Sequence, residues 1–280
     1  QELSPRRFEV LNFSVASYST VQEYLRYQEL GRQFDLDLVV VVSIPNDIVA
    51  NIAPGDVMAG SFYSAPYLAR SQGGFQLVPP MEPSRGERIA SHAARTSSLA
   101  LFMTKLYYRK VVPFATASRL EMPAWATHPI YSLYDTENPE AREAWDALQF
   151  ILRAFRNSVT MNGDAFAVAF CAPEDSTWYP EGPRGDEIPA QVDTRMTQRQ
   201  FSLFGQQTGT PVLDLGADIA DYVRQQQLHP PYLSFECDGH FTAEGQAVIA
   251  DSLFRFVKNL VPVQSWTSTI TPRDSQRPGS

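Results

Sequence analysis

Two cysteines and four histidines in 280 residues leave little material for a metal or disulfide scaffold. His92, His128 and His229 are dispersed along the chain, and neither a Cys-x-x-Cys pair nor a His-Glu-x-x-His helix occurs, so no metal site is expected. A glycine-rich nucleotide fingerprint and a Walker loop are equally absent, and no organic cofactor is expected. Positive charge is scarce: Lys and Arg total 23 against 31 Asp and Glu, a net charge of −8 that leaves no basic face for a nucleic-acid backbone. Lys105, Arg109 and Lys110 come nearest to a basic cluster and read as the solvated side of a helix. No apolar run approaches the roughly twenty residues that span a bilayer.

What the chain does have is hydrophobic patterning at 44% apolar composition, enough for a sizeable core. Residues 37–44 form an almost unbroken β-branched run, the pattern of a parallel strand covered on both faces. Residues 8–13, 164–170 and 211–215 read as further buried strands. Between them, Thr20 and Glu23 offer a capping box for a helix to about Phe34, and Asn138 caps a helix over 139–157. A helix is expected over 193–207. Another starts near Gly245, with Ile249, Ala250, Leu253, Phe256, Val257 and Leu260 on one stripe. The alternation of strands and helices predicts a three-layer α/β domain with a parallel sheet and helices on both faces.

The divisions expected are residues 1–47 and 136–262 as the two parts of this domain, 48–135 as an insertion, and 263–280 as a polar tail. The insertion has one expected helix over 87–108 and follows the 37–44 strand directly. Two readings stay open for it, a cap over the site and a peripheral subdomain. Cys171 closes one strand and Cys237 lies far along the chain; two reduced buried thiols are the default, with a disulfide between them the alternative.

Two places carry chemistry. The 37–44 strand ends in Pro45-Asn46-Asp47, which puts an amide and a carboxylate at the carboxyl end of a central strand, where open α/β sheets place their sites. Asp238-Gly239-His240 precedes the last helix, so an acid and a candidate base share a loop held by a packed element. The alternative is that Asp238 and His240 only cap that helix.

Asn12 through Thr20, the strand ending in Asn46-Asp47, and Asp238-Gly239-His240 followed by Gly245 together resemble the SGNH (GDSL-type) hydrolases. The resemblance covers residues 8–47 and about 164–260. It implies a flavodoxin-like fold and a serine esterase using a Ser-His-Asp triad. Asn46 then matches the side-chain oxyanion donor, His240 the general base and Asp238 the acid that orients it. Ser17 stands where the family usually has a glycine whose backbone N–H is the second oxyanion donor. A glycine there matters only if the backbone needs a positive φ.

Two departures follow. Only Gly239 separates Asp238 from His240, where many members have two residues, and Cys237 holds the usual acid position. The Gly-Asp-Ser block is not found before Asn12, so the first strand and the nucleophile are expected upstream of Gln1. Ser4, Ser14, Ser17, Ser19, Ser43 and Ser61 lie nearest the matching blocks, but none sits in a nucleophile elbow. The resemblance implies a small-molecule or carbohydrate ester as substrate. The alternatives are an O-acyltransferase of the same fold and a non-catalytic binding domain of degenerate type.

Overall fold

A computed structural model describes residues 9–53, 65–80, 82, 85–100, 102–103, 133–171, 191–228, 233–234 and 240–261. Its centre is a parallel sheet of β1 (Leu38–Ser43), β4 (Ala165–Phe170) and β5 (Val212–Asp214), in the order β1-β4-β5. Leu38 pairs with Ala165 and Ser43 with Phe170, while Val168 pairs with Val212, so β1 and β4 end level with one another. A separate antiparallel hairpin joins β2 (Tyr67–Ser71) to β3 (Gly74–Val78).

Alternation along the strands sends side chains into two apolar layers. Val39 and Val41 of β1 join Phe166, Val168 and Phe170 of β4 in the larger one. Its other wall is made by α1 (Thr20–Glu29), α2 (Pro45–Ala50), α4 (Pro139–Met161) and α5 (Met196–Thr208), through Val21, Ile48, Leu148, Leu152, Phe155 and Phe204. Phe170 and Phe201 stack there with centroids 4.6 Å apart. Val40, Ala169 and Leu213 face the opposite way, against α6 (Leu215–Gln226) and α7 (Ala243–Leu260). Both faces of the sheet are therefore covered, which is why β1 reads as continuous Val rather than as an alternating strand.

Local chemistry sets the ends of these helices. Asn138 accepts hydrogen bonds from the Glu140 and Ala141 amides and Pro139 fills the first turn, so α4 starts where expected and then runs one turn further, to Met161. The Trp145 indole donates to the Leu133 carbonyl at 2.9 Å. Asp214, the last residue of β5, caps α6 by accepting from Ala217 N, so strand passes into helix without a loop. The hairpin docks on α4: Phe75 lies 5.7 Å from Phe150, and Arg70 pairs with Asp146 at 2.8 Å.

Four expectations change. Residues 9–13 form no strand; Val10 is 82% exposed and no strand pairs with this segment among the described residues. The box at the start of α1 is built one residue earlier, with Ser19 N–H donating to Gln22 Oε1 at 3.1 Å. The expected helix to Phe34 stops at Glu29 and gives way to a 3-10 turn over Gly31–Gln33. A side chain at Gly31 would come within 2.6 Å of the Tyr27 ring, so the chain tightens there under the ring. The helix expected over 87–108 is α3 (Arg85–Thr96), interrupted at Ser97, whose hydroxyl caps the next turn by accepting from Ala100 N. Residues 104–108, the tail over 263–280 and half of the expected insertion lie outside the described residues.

Candidate functional site

Parallel strands bring their carboxyl ends to one edge of the sheet, and three of the four expected site residues lie along that edge. Asn46 sits in the first turn of α2, which begins two residues after β1 ends. Asp47 beside it is buried, and its Oδ2 accepts from the Ile44 amide at 2.8 Å, fixing the strand-to-helix turn. Ser17 precedes α1, which runs back along the sheet, so the start of α1 lies at this same edge. The Val21 amide confirms the placement by donating to Asn51 Oδ1 at the end of α2, at 3.0 Å.

Ser17 has φ of 65°, in the left-handed region that glycine reaches most easily. The Tyr18 amide closes this turn onto the Val15 carbonyl at 3.2 Å. Ser17 is exposed, whereas Ser19 is fully buried within the capping box. Ser43, at the end of β1, is fully buried as well, which removes it as a nucleophile for any diffusing substrate. Ser4 and Ser61 lie outside the described residues.

His240 is exposed and precedes the bridge between Ser234 and Phe241. This loop is pinned by two bonds onto the Leu233 carbonyl, from Thr242 N at 2.8 Å and Thr242 Oγ1 at 3.1 Å. Thr242 Oγ1 also caps α7 by accepting from Gly245 N. Any side chain at Gly245 would lie 2.5 Å from the Leu233 carbonyl oxygen, so the loop can approach α7 this closely only over glycine. Leu233 packs with Cys171, just beyond β4, which carries the His240 loop to the carboxyl edge from the α7 side. Asp238 and Cys237 lie outside the described residues, and with Asp238 the expected acid partner of His240. Cys171 carries a free, buried thiol, pushed up to about 12 by burial and by Asp214.

One group at this edge escaped the sequence reading. Glu23 projects from α1 with its Oε2 enclosed and without a hydrogen-bond partner; burial and the neighbouring Asp47 carboxylate push it up to about 9. Burial raises Asp47 to about 7, against the lowering effect of the Ile44 amide. The signal for Glu23 was its helical spacing from Thr20 and Tyr27, both buried; it was masked by assigning Glu23 to the capping box.

Among the described residues, no group of three or more His, Cys, Asp or Glu is placed to hold a metal ion, and no helix is long and apolar enough to cross a membrane. Neither a family model, nor a curated protein, nor a solved structure matches this chain.

Proposed function

We propose that this chain forms most of a serine ester hydrolase of the SGNH type, with a flavodoxin-like sheet and a nucleophilic serine contributed by residues outside the chain. The observation that carries the reading is the left-handed backbone at Ser17. A conformation natural to glycine is adopted where the resemblance calls for one, at the sheet edge that also bears Asn46. The order β1-β4-β5 supports it, being that of the last three strands of a flavodoxin-like sheet. Among the described residues β1 pairs with β4 alone, so its other edge is open to a further strand, as a flavodoxin-like sheet requires.

In this reading the serine attacks the ester carbonyl as His240 takes its proton, and Asp238 orients the imidazole and stabilises its charged form. The Asn46 side-chain amide and the Ser17 backbone N–H donate to the oxyanion, each worth roughly 10² to 10³ in rate. His240 then gives the proton to the leaving alcohol, and water, deprotonated by the same base, releases the acid. A hydroxyl acceptor in place of water would make the same site an O-acyltransferase. The sequence pattern fits a small-molecule or carbohydrate ester without choosing between them.

The test is to express the chain with its upstream coding sequence, treat it with a fluorophosphonate, and map the modified residue by mass spectrometry. Labelling of one serine upstream of Gln1 supports the reading. Labelling of a serine within residues 1–280 overturns the assignment of the nucleophile, and the absence of any labelling favours a non-catalytic binding domain.

A further inference from the structure

The junction of α1 and α2 holds an unusual set of enclosed polar atoms. Thr20 Oγ1, Glu23 Oε2, Ser43 Oγ and Asn51 Nδ2 are all buried without a protein hydrogen-bond partner. Thr20 and Glu23 are three residues apart on α1, and Asp47 and Asn51 are four apart on α2, so each pair occupies one helix face. The Val21–Asn51 hydrogen bond brings the two helices together, and Ser43 lies on the same side of β1 as Val41, which faces them. Asp47, next to Asn46 in the first turn of α2, is near enough for its charge to act on Glu23.

We infer that Glu23 and Asp47 act as a charge-coupled pair that positions the Asn46 turn. Asp47 grips the turn through the Ile44 amide, and its hold is strongest when it is ionised. A second negative charge on Glu23 would push α1 away from α2, so the neighbour must stay protonated. One proton, held by Glu23 while Asp47 grips the turn, satisfies both demands. Both carboxyls are displaced upward, Glu23 further than Asp47, in the order this arrangement requires.

Arg26 and Tyr27 follow Glu23 on α1, and Arg26 Nε is itself enclosed without a partner. Among the described residues Asp47 is the charged group that raises Glu23, while Tyr27 responds to burial, Asp164 and Arg32. α4 packs against both helices with Ala144, Leu148, Leu152 and Phe155, none of them titratable, and β1 contributes Ser43. Glu23 and Asp47 are positioning residues: neither is required to touch substrate. The role given to Asn46 rests on the hydrolase reading, but the pair itself does not.

Carboxyl NMR of the labelled 280-residue chain from pH 4 to 10 tests this, read together with the Ile44 amide and the Asn46 side-chain amide. Both carboxyls are expected to titrate above the ordinary range, and the two amide signals to move with both transitions. In Glu23→Gln the upper transition should vanish while the lower one stays. Titration of Glu23 in the ordinary carboxylate range overturns the inference, as do Ile44 and Asn46 signals that stay flat through both transitions. If the variant fails to fold, the wild-type titration decides alone. A chain that shows the paired titration yet hydrolyses no ester when expressed with its upstream sequence keeps the pair and loses the hydrolase reading.

Discussion

The Val21 amide donates to the Asn51 side-chain oxygen at 3.0 Å, joining the start of α1 to the end of α2 across 30 residues of chain. Both residues are fully buried, so this bond has no competition from water. It locks together the two segments that carry Ser17 and Asn46. Asn51→Ala leaves the Val21 amide enclosed and unpaired, and the expected cost is about 1–3 kcal/mol, read from the urea midpoint at unchanged slope. An unchanged midpoint would mean that the two segments are held by other contacts.

Ser17 is predicted to tolerate glycine and to resist branched residues. The left-handed conformation costs an ordinary residue about 1–2 kcal/mol, and that cost falls away in Ser17→Gly, partly offset by the greater freedom of glycine in the unfolded chain. Ser17→Val should destabilise relative to both. Thermal unfolding of the three proteins checks the order, with glycine at or above wild type and valine lowest.

Gly245→Ala puts a methyl group where the Leu233 carbonyl oxygen already stands, 2.5 Å from the new carbon. Backbone must move, at an expected cost of about 1–3 kcal/mol. The movement falls on the His240 loop, so the His240 ring signals in NMR should shift as well. A variant with wild-type stability and unmoved His240 signals would contradict the close packing of this loop on α7.

The raised carboxyls give a pH dependence with a definite sign. Glu23 is raised from 4.5 to about 9 and Asp47 from 3.8 to about 7, so the folded chain holds these protons more tightly than the unfolded chain. Their contribution to stability is complete below pH 3.8 and declines as the pH rises, through about 7 for Asp47 and about 9 for Glu23. Glu23→Gln removes the larger part of this slope. The variant should therefore gain on wild type in melting temperature between pH 5 and pH 8; a gap that is constant with pH would refute the assignment.

The long, regular elements were legible because one simple pattern dominates each of them. β1 declares itself by four consecutive valines, and α4 by its Asn-Pro start and the apolar spacing from Trp145 to Phe155. Elements set by their neighbours were harder to read. α2 is six residues long, and Pro45-Asn46-Asp47 looks the same whether it ends a strand or opens a helix. The start of α6 hides inside the apolar end of β5, since Asp214 closes one and caps the other. The β2–β3 hairpin has Gly73-Gly74 at its turn, but its strands mix Arg70 and Gln76 with apolar residues and gain their order by docking on α4. At the site, the residue types pointed to Asn46, His240 and the Ser17 turn. The burial of Glu23 depends on which residue caps α1, and two adjacent candidates, Ser19 and Thr20, fit that role almost equally well in the sequence.

The most direct test of the account is the rate of p-nitrophenyl acetate hydrolysis by the chain expressed with its upstream sequence, compared with its Asn46→Ala and His240→Ala variants. A loss of roughly 10² to 10³ in kcat is expected for Asn46→Ala, a larger loss for His240→Ala, and cooperative unfolding preserved in both. Hydrolysis that survives both substitutions at the wild-type rate would show that neither residue serves the reaction and would contradict the proposed site.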